Sequence, residues 1–115
     1  MNKATTSIVV KTQFEGKHQY VDAPPAVEYL KNIHRHLFYV EVEMEVSHDD
    51  RELEFILVKN TINKYIESHP FSIIASCEQM ADLICRHLIE VYGERAMKCC
   101  VYEDGENGGC VYYEL

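Results

Sequence analysis

A chain of 115 residues is long enough for one domain and too short for two, so residues 1–115 are read as a single unit that acts alone or in an assembly of copies. A hydrophobic fraction of 47% and a charged fraction of 26% exclude a fibrous or disordered chain. A formal net charge of -8, with 19 acidic against 11 basic residues and no basic cluster, excludes nucleic acid as the main partner, and no apolar stretch has the length of a membrane span or a signal segment, so a cytoplasmic protein without a membrane partner is expected.

Residues 6–14, rich in β-branched types, predict a first strand that continues as far as Val21, where Asp22-Ala23-Pro24-Pro25 breaks it. Ala26 to Ile33 is expected to be a loop with a helical turn behind the prolines. From Leu37 to Val46 the alternation is clean, with Phe38, Val40, Val42, Met44 and Val46 on one face and Tyr39, Glu41, Glu43 and Glu45 on the other. That is the pattern of a half-buried strand.

Ser47-His48-Asp49-Asp50 supplies turn and capping chemistry for a helix expected over about 51–67, where the positions of Leu53, Ile56, Leu57, Asn60 and Lys64 follow a 3.6-residue pattern and Phe55, Ile62, Tyr65 and Ile66 widen the apolar side; the helix ends before Pro70. Ser76 is the natural N-cap of a second helix with Met80, Leu83, Ile84, Leu88 and Val91 as its stripe and Gly93 as its stop. Met97 to Glu103 and Cys110 to Leu115 read as two closing strands joined by the turn Asp104–Gly109. The order β-β-α-α-β-β predicts an α+β fold, a four-stranded antiparallel sheet with both helices on one face. Its open edges favour assembly into a homo-oligomer. The five cysteines are odd in number and lack a CxxC pair, so buried free thiols are expected.

His34-Arg35-His36 places two imidazoles on one face of the second strand, and a hairpin between the first two strands brings His18 beside them. Three neutral imidazoles leave a fourth zinc position open, the arrangement of a catalytic Zn2+ site. His48, among turn acids, reads as a solvated turn residue, and His87 as a partly exposed helical one. His69, in Glu67-Ser68-His69-Pro70, ends the first helix, where an imidazole serves as a cap or as a general acid/base.

With these residues in place the sequence resembles the 6-pyruvoyl/6-carboxytetrahydropterin synthase family of the tunnelling fold. The family's Phe-x-x-x-His looks like Phe14-Glu15-Gly16-Lys17-His18, and its His-Gly-His before an alternating strand looks like His34-Arg35-His36. Its Asp-Phe helix start resembles Glu54-Phe55, followed by Lys59 where the family often has lysine. Its Pro-Thr-Ser/Ala-Glu-Asn resembles Ala75-Ser76-Cys77-Glu78-Gln79, and its Glu-Thr resembles Glu103-Asp104. The resemblance runs from about residue 8 to 113.

It implies a trimer or hexamer whose sheets close into a barrel, with active sites between subunits. Zinc would be held by His18, His34 and His36. Glu103, with Ser76 and Cys77, would bind a pterin or purine-like ligand, the carboxylate offering paired acceptors to the ring's N–H edge.

The departures are specific. Leu30 stands where the family's catalytic cysteine is sought, four residues before the first histidine of the pair; Glu28, two residues earlier, is the candidate proton-transfer group because a glutamate replaces the cysteine in some members. Ser68-His69 stands where Asp-His is sought, so His69 keeps the histidine's role and loses its aspartate. Arg35 replaces the middle glycine, a cation that favours a phosphate or carboxylate on the ligand.

The implied function is a zinc-dependent lyase acting on a dihydroneopterin-triphosphate-like substrate, in pterin or 7-deazaguanine (queuosine-type) biosynthesis. The alternatives are a pterin- or purine-binding protein without turnover and a purely structural oligomer.

Overall fold

The computed structural model describes residues 2–115. Four strands, β1 (Thr6–His18), β2 (His34–Val46), β3 (Met97–Glu103) and β4 (Asn107–Tyr113), form one antiparallel open sheet in the order β1-β2-β3-β4. Two helices, α1 (Phe55–Ser68) and α2 (Cys77–Tyr92), lie on one face, α1 over β1 and α2 over β3 and β4. A seven-residue 3-10 segment, Pro25–Lys31, sits between β1 and β2 where a helical turn is expected. Among the described residues no helix is long and apolar enough to cross a membrane.

The alternation of β2 becomes its two faces. Phe38, Val40, Val42, Met44 and Val46 are buried under the helices, and Glu41, Glu43 and Glu45 lie on the opposite, wetter face. α2 is bounded by local chemistry: Ser76 and Gln79 form a reciprocal capping box, and Gly93, at φ 87°, closes the other end. Thr12 Oγ1 donates to Asn63 Oδ1 at 2.6 Å and ties β1 to α1, and the Tyr113 hydroxyl donates to Asp82, tying β4 to α2.

Several expectations are corrected. β1 stops at His18 and β2 begins three residues earlier than predicted, at His34, because the two strands pair along their whole length from Thr6↔Val46 to His18↔His34. β4 begins at Asn107, since the turn is tight: Glu106 N–H donates to the Glu103 carbonyl at 2.9 Å, and Asp104 and Gly105 both have positive φ (53° and 73°), the sign pattern of a type I′ turn. α1 starts at Phe55, capped by the Glu54 carboxylate, which accepts from the N–H groups of Ile56 and Leu57 at 3.0 and 3.2 Å. Its buried line is Val58, Ile62 and Ile66; Phe55, Ile56 and Leu57 are exposed. In α2, Ala81, Cys77 and Cys85 join Met80, Ile84 and Leu88 in the core while Leu83 and Val91 face outward.

The cysteine expectation is also overturned in part. Cys100 and Cys110 stand opposite each other in the β3–β4 register and are joined as a disulfide; Cys77, Cys85 and Cys99 are buried and free.

The connection from β2 to α1 is anchored at long range. Arg95 grips both carboxylate oxygens of Glu52 at 3.1 and 3.2 Å, and Ser47 N–H donates to Glu52 at 2.8 Å. The Arg95 bonds first, then that of Ser47, hold the Glu52 carboxyl at about 2, down from 4.5. A carboxyl depressed on folding stabilises fully above its unfolded value and loses that contribution as pH falls through its folded value. Thermal unfolding from pH 4.5 down to about 2 should therefore show a smaller acid loss in Glu52→Gln than in wild type; parallel curves would dismiss the pair as a source of acid sensitivity.

Candidate metal centre

The β1–β2 register puts His18 directly opposite His34 and Gly16 opposite His36, all on the helix-facing side that carries Phe38. A Cβ on Gly16 would meet the Phe38 ring at 3.0 Å, so glycine lets that ring lie flat across the strand pair. Phe38 in turn stacks on Phe14, at 5.1 Å between centroids, and its ring is 5.9 and 5.8 Å from those of His18 and His36. The core thus ends in an aromatic wall, and the three imidazoles stand on it.

The rings of His18 and His34 are 4.6 Å apart, those of His34 and His36 4.7 Å, and those of His18 and His36 5.4 Å. One nitrogen from each lies within 4.8 Å of the other two.

His34 Nδ1 is 2.7 Å from the main-chain carbonyl of Asn32, and His36 Nδ1 is 2.6 Å from Asp104 Oδ2. Both oxygens only accept, so both Nδ1 atoms carry a proton, and in the neutral ring each Nε2 is the nitrogen that presents a lone pair. Among the described residues, His34 Nε2, His36 Nε2 and His18 Nδ1 are buried and find no hydrogen-bond partner. Three clustered imidazoles, each with an orphaned ring nitrogen, fit a zinc ion, whose usual ligands include neutral histidine. Burial is the first cause that lowers the pKa of His18; the Glu103 charge opposes it, and His34 and His36 reinforce it. The neutral form that a metal ligand needs is favoured.

Glu103 closes one side of the centre. Its Oε1 is 3.3 Å from His18 Nε2, and its Oε2 is 3.4 Å from His36 Nε2 without hydrogen-bond alignment. A cleft of about 510 Å³ opens beside it, lined by His18, Leu30, Ser76, Cys77, Glu103 and the start of β4. The Cys77 thiol points at Glu103 Oε1 from 4.0 Å; burial first, then the charges of Glu103 and Glu78, push its pKa up to about 11, so it is a neutral donor and not a thiolate. Ser76 lines the cleft, with its hydroxyl oxygen already accepting the Gln79 N–H at 3.1 Å.

The other candidates lie elsewhere. His69 is the exposed C-cap of α1, its ring stacked on Tyr65 at 4.9 Å, and it does not line this cleft. Glu28 is exposed on the 3-10 segment, 3.6 Å from Lys31, and is likewise absent from the cleft wall. Arg35 pairs with Lys17 and lines a second cleft of about 520 Å³ with Phe14, Phe71 and Met80. The two clefts are alike in size, and the one bearing Glu103 is the one that His18 of the trio lines. His48 accepts from Asp50 N–H at 3.1 Å within its turn, as expected of a turn residue.

One residue escaped the sequence reading. Asp104 was legible only as half of a Glu-Asp pair, yet its Oδ1 accepts the Leu37 N–H at 2.9 Å while Oδ2 accepts from His36. The Leu37 bond first, then that of His36, hold its carboxyl below the usual aspartate range. The chain matches no protein-family model, and no curated protein matches it.

Proposed function

We propose that the chain is a zinc-dependent lyase of the 6-pyruvoyl/6-carboxytetrahydropterin synthase type, acting on a dihydroneopterin-triphosphate-like substrate in pterin or 7-deazaguanine (queuosine-type) biosynthesis. The observation that carries this reading is the set of three partnerless imidazole nitrogens beside a carboxylate and an open cleft. Bound zinc would supply Lewis acidity toward an oxygen of the ligand's side chain.

The chain's own residues would do the remaining work. Glu103 offers two adjacent acceptors to the amino and ring N–H groups of a pterin or purine-like ring. Cys77 keeps its proton and can donate a hydrogen bond into the cleft, and the Ser76 hydroxyl has its O–H left to donate. His69 and Glu28 lie outside the cleft of a single chain, so proton transfer by either requires a neighbouring subunit. The free edges of β1 and β4 are where a trimer or hexamer would pair.

The reading of a pterin- or purine-binding protein without turnover is favoured by one observation: Leu30, at the position of the family's cysteine, lines the cleft and carries no proton. Zinc-loaded protein incubated with dihydroneopterin triphosphate separates the two. A lyase converts it to a new pterin resolved by chromatography. A binder is protected from heat by the ligand and leaves it intact. In either case Glu103→Gln should weaken the ligand's affinity about 10- to 100-fold, the worth of a hydrogen bond to a charged group. Neither product nor protection would sink both readings.

A further inference from the structure

We infer that Asp104 is a positioning residue for the metal centre: its carboxylate fixes the His36 ring and tautomer so that Nε2 faces the other two imidazoles. The inference rests on the reading that the three histidines hold a metal, and it adds a residue outside the ligand set.

Three bonds lock Asp104 to the start of β2. Its N–H donates to the Leu37 carbonyl at 2.7 Å, its Oδ1 accepts the Leu37 N–H at 2.9 Å, and its Oδ2 accepts the His36 Nδ1–H at 2.6 Å. The first two hold the carboxylate still, and the third passes that rigidity to the ring. The register explains how a residue so distant in sequence arrives there. Glu103 pairs with Phe38, and the turn that follows, with Asp104 at φ 53°, bends the next side chain back over Leu37 and His36. Aspartate and asparagine are among the few residues that accept that backbone region readily.

The three rings differ in how they are held. His34 uses a main-chain carbonyl that no substitution removes, and His18 Nδ1 has no partner. Among the described residues Asp104 is the one side chain that hydrogen-bonds a ring nitrogen of the trio. A carboxylate on the far nitrogen of a ligating histidine orients the ring and raises its basicity, and losing such a partner typically costs 10- to 100-fold in metal affinity.

Asp104→Asn isolates the effect, because asparagine tolerates the same φ and has one carbonyl oxygen for two donors. The Leu37 N–H has no alternative form, whereas His36 has another tautomer. The amide oxygen should therefore stay with Leu37 and its NH2 should turn to His36 Nδ1, leaving the proton on Nε2, where it blocks ligation.

Competition with a chromophoric chelator should show zinc affinity reduced about 10- to 100-fold in Asp104→Asn. Long-range 15N NMR of metal-free protein should find His36 protonated on Nδ1 in wild type and on Nε2 in the variant. The metal-free melting midpoint should be nearly unchanged, which a purely structural role would not predict. Unchanged zinc affinity, or a lower metal-free midpoint with an undiminished shift on adding zinc, overturns the inference. Wild type with no zinc affinity sinks the metal reading itself, and this inference with it, whatever tautomer the NMR reports.

Discussion

Phe38→Ala should destabilise the protein by about 3–5 kcal/mol, the usual cost of emptying a buried phenylalanine site, and should loosen the histidine centre in the same step. The side chain is fully buried, stacks on Phe14 and supports the rings of His18 and His36. Diagonally across the strand pair, Gly16 lies against the ring and has no side chain to swing into the void, and the hydrogen-bonded backbones of β1 and β2 cannot close it. Urea unfolding of metal-free protein measures the loss, and Phe38→Leu, which restores most of the volume, should recover much of it. A loss below about 1 kcal/mol would mean that the site collapses around the deletion and that Phe38 is not the wall on which the imidazoles rest.

The residues that were legible in sequence are those whose fate is decided locally. Alternation alone sorted Phe38, Val40, Val42, Met44 and Val46 to the core, because a strand's side chains take opposite faces whatever lies beyond them. Ser76 and Gly93 bounded α2 because a capping box and a positive-φ stop need only neighbouring residues. α1 was misjudged at its start because Arg51, where the helix was expected to begin, has positive φ (57°), and Glu54 rather than a residue of Ser47-His48-Asp49-Asp50 caps the helix. Its buried face was misjudged because apolar residues crowd the helix from Phe55 to Ile66, so more than one stripe fits the helical period. Packing over β1 selects Val58, Ile62 and Ile66.

The site divides in the same way. His34-Arg35-His36 needs only a strand to put two imidazoles on one side, and His18 needs only the hairpin to join them. Asp104 needs the β2–β3 register and a tight turn, and the Cys100–Cys110 bridge needs the β3–β4 register; neither follows from spacing. His69 came from its place at a helix end and Glu28 from the resemblance, neither from strand pairing, and a single chain leaves both outside the cleft. Their part in any reaction depends on assembly.

His34→Ala should remove zinc from the protein with little other consequence. Three neutral imidazoles are the minimum protein ligand set of an open zinc site, and two would leave the ion exposed to water and to competing chelators. The substitution leaves the fold alone: His34 begins β2, its backbone pairing with His18 is kept by alanine, and its partnerless buried Nε2 disappears. Metal-free stability should therefore change by no more than about 0.5 kcal/mol. With zinc at 100 times its dissociation constant, wild type should gain about 2.7 kcal/mol and the variant almost nothing, since only a ligand bound to the folded state shifts the equilibrium. Metal content by inductively coupled plasma mass spectrometry should give about one zinc per wild-type chain and close to none in His34→Ala. Zinc retained in the variant would take His34 out of the ligand set. Zinc absent from both, with no stabilisation on adding it, would remove the metal centre and the lyase reading built on it.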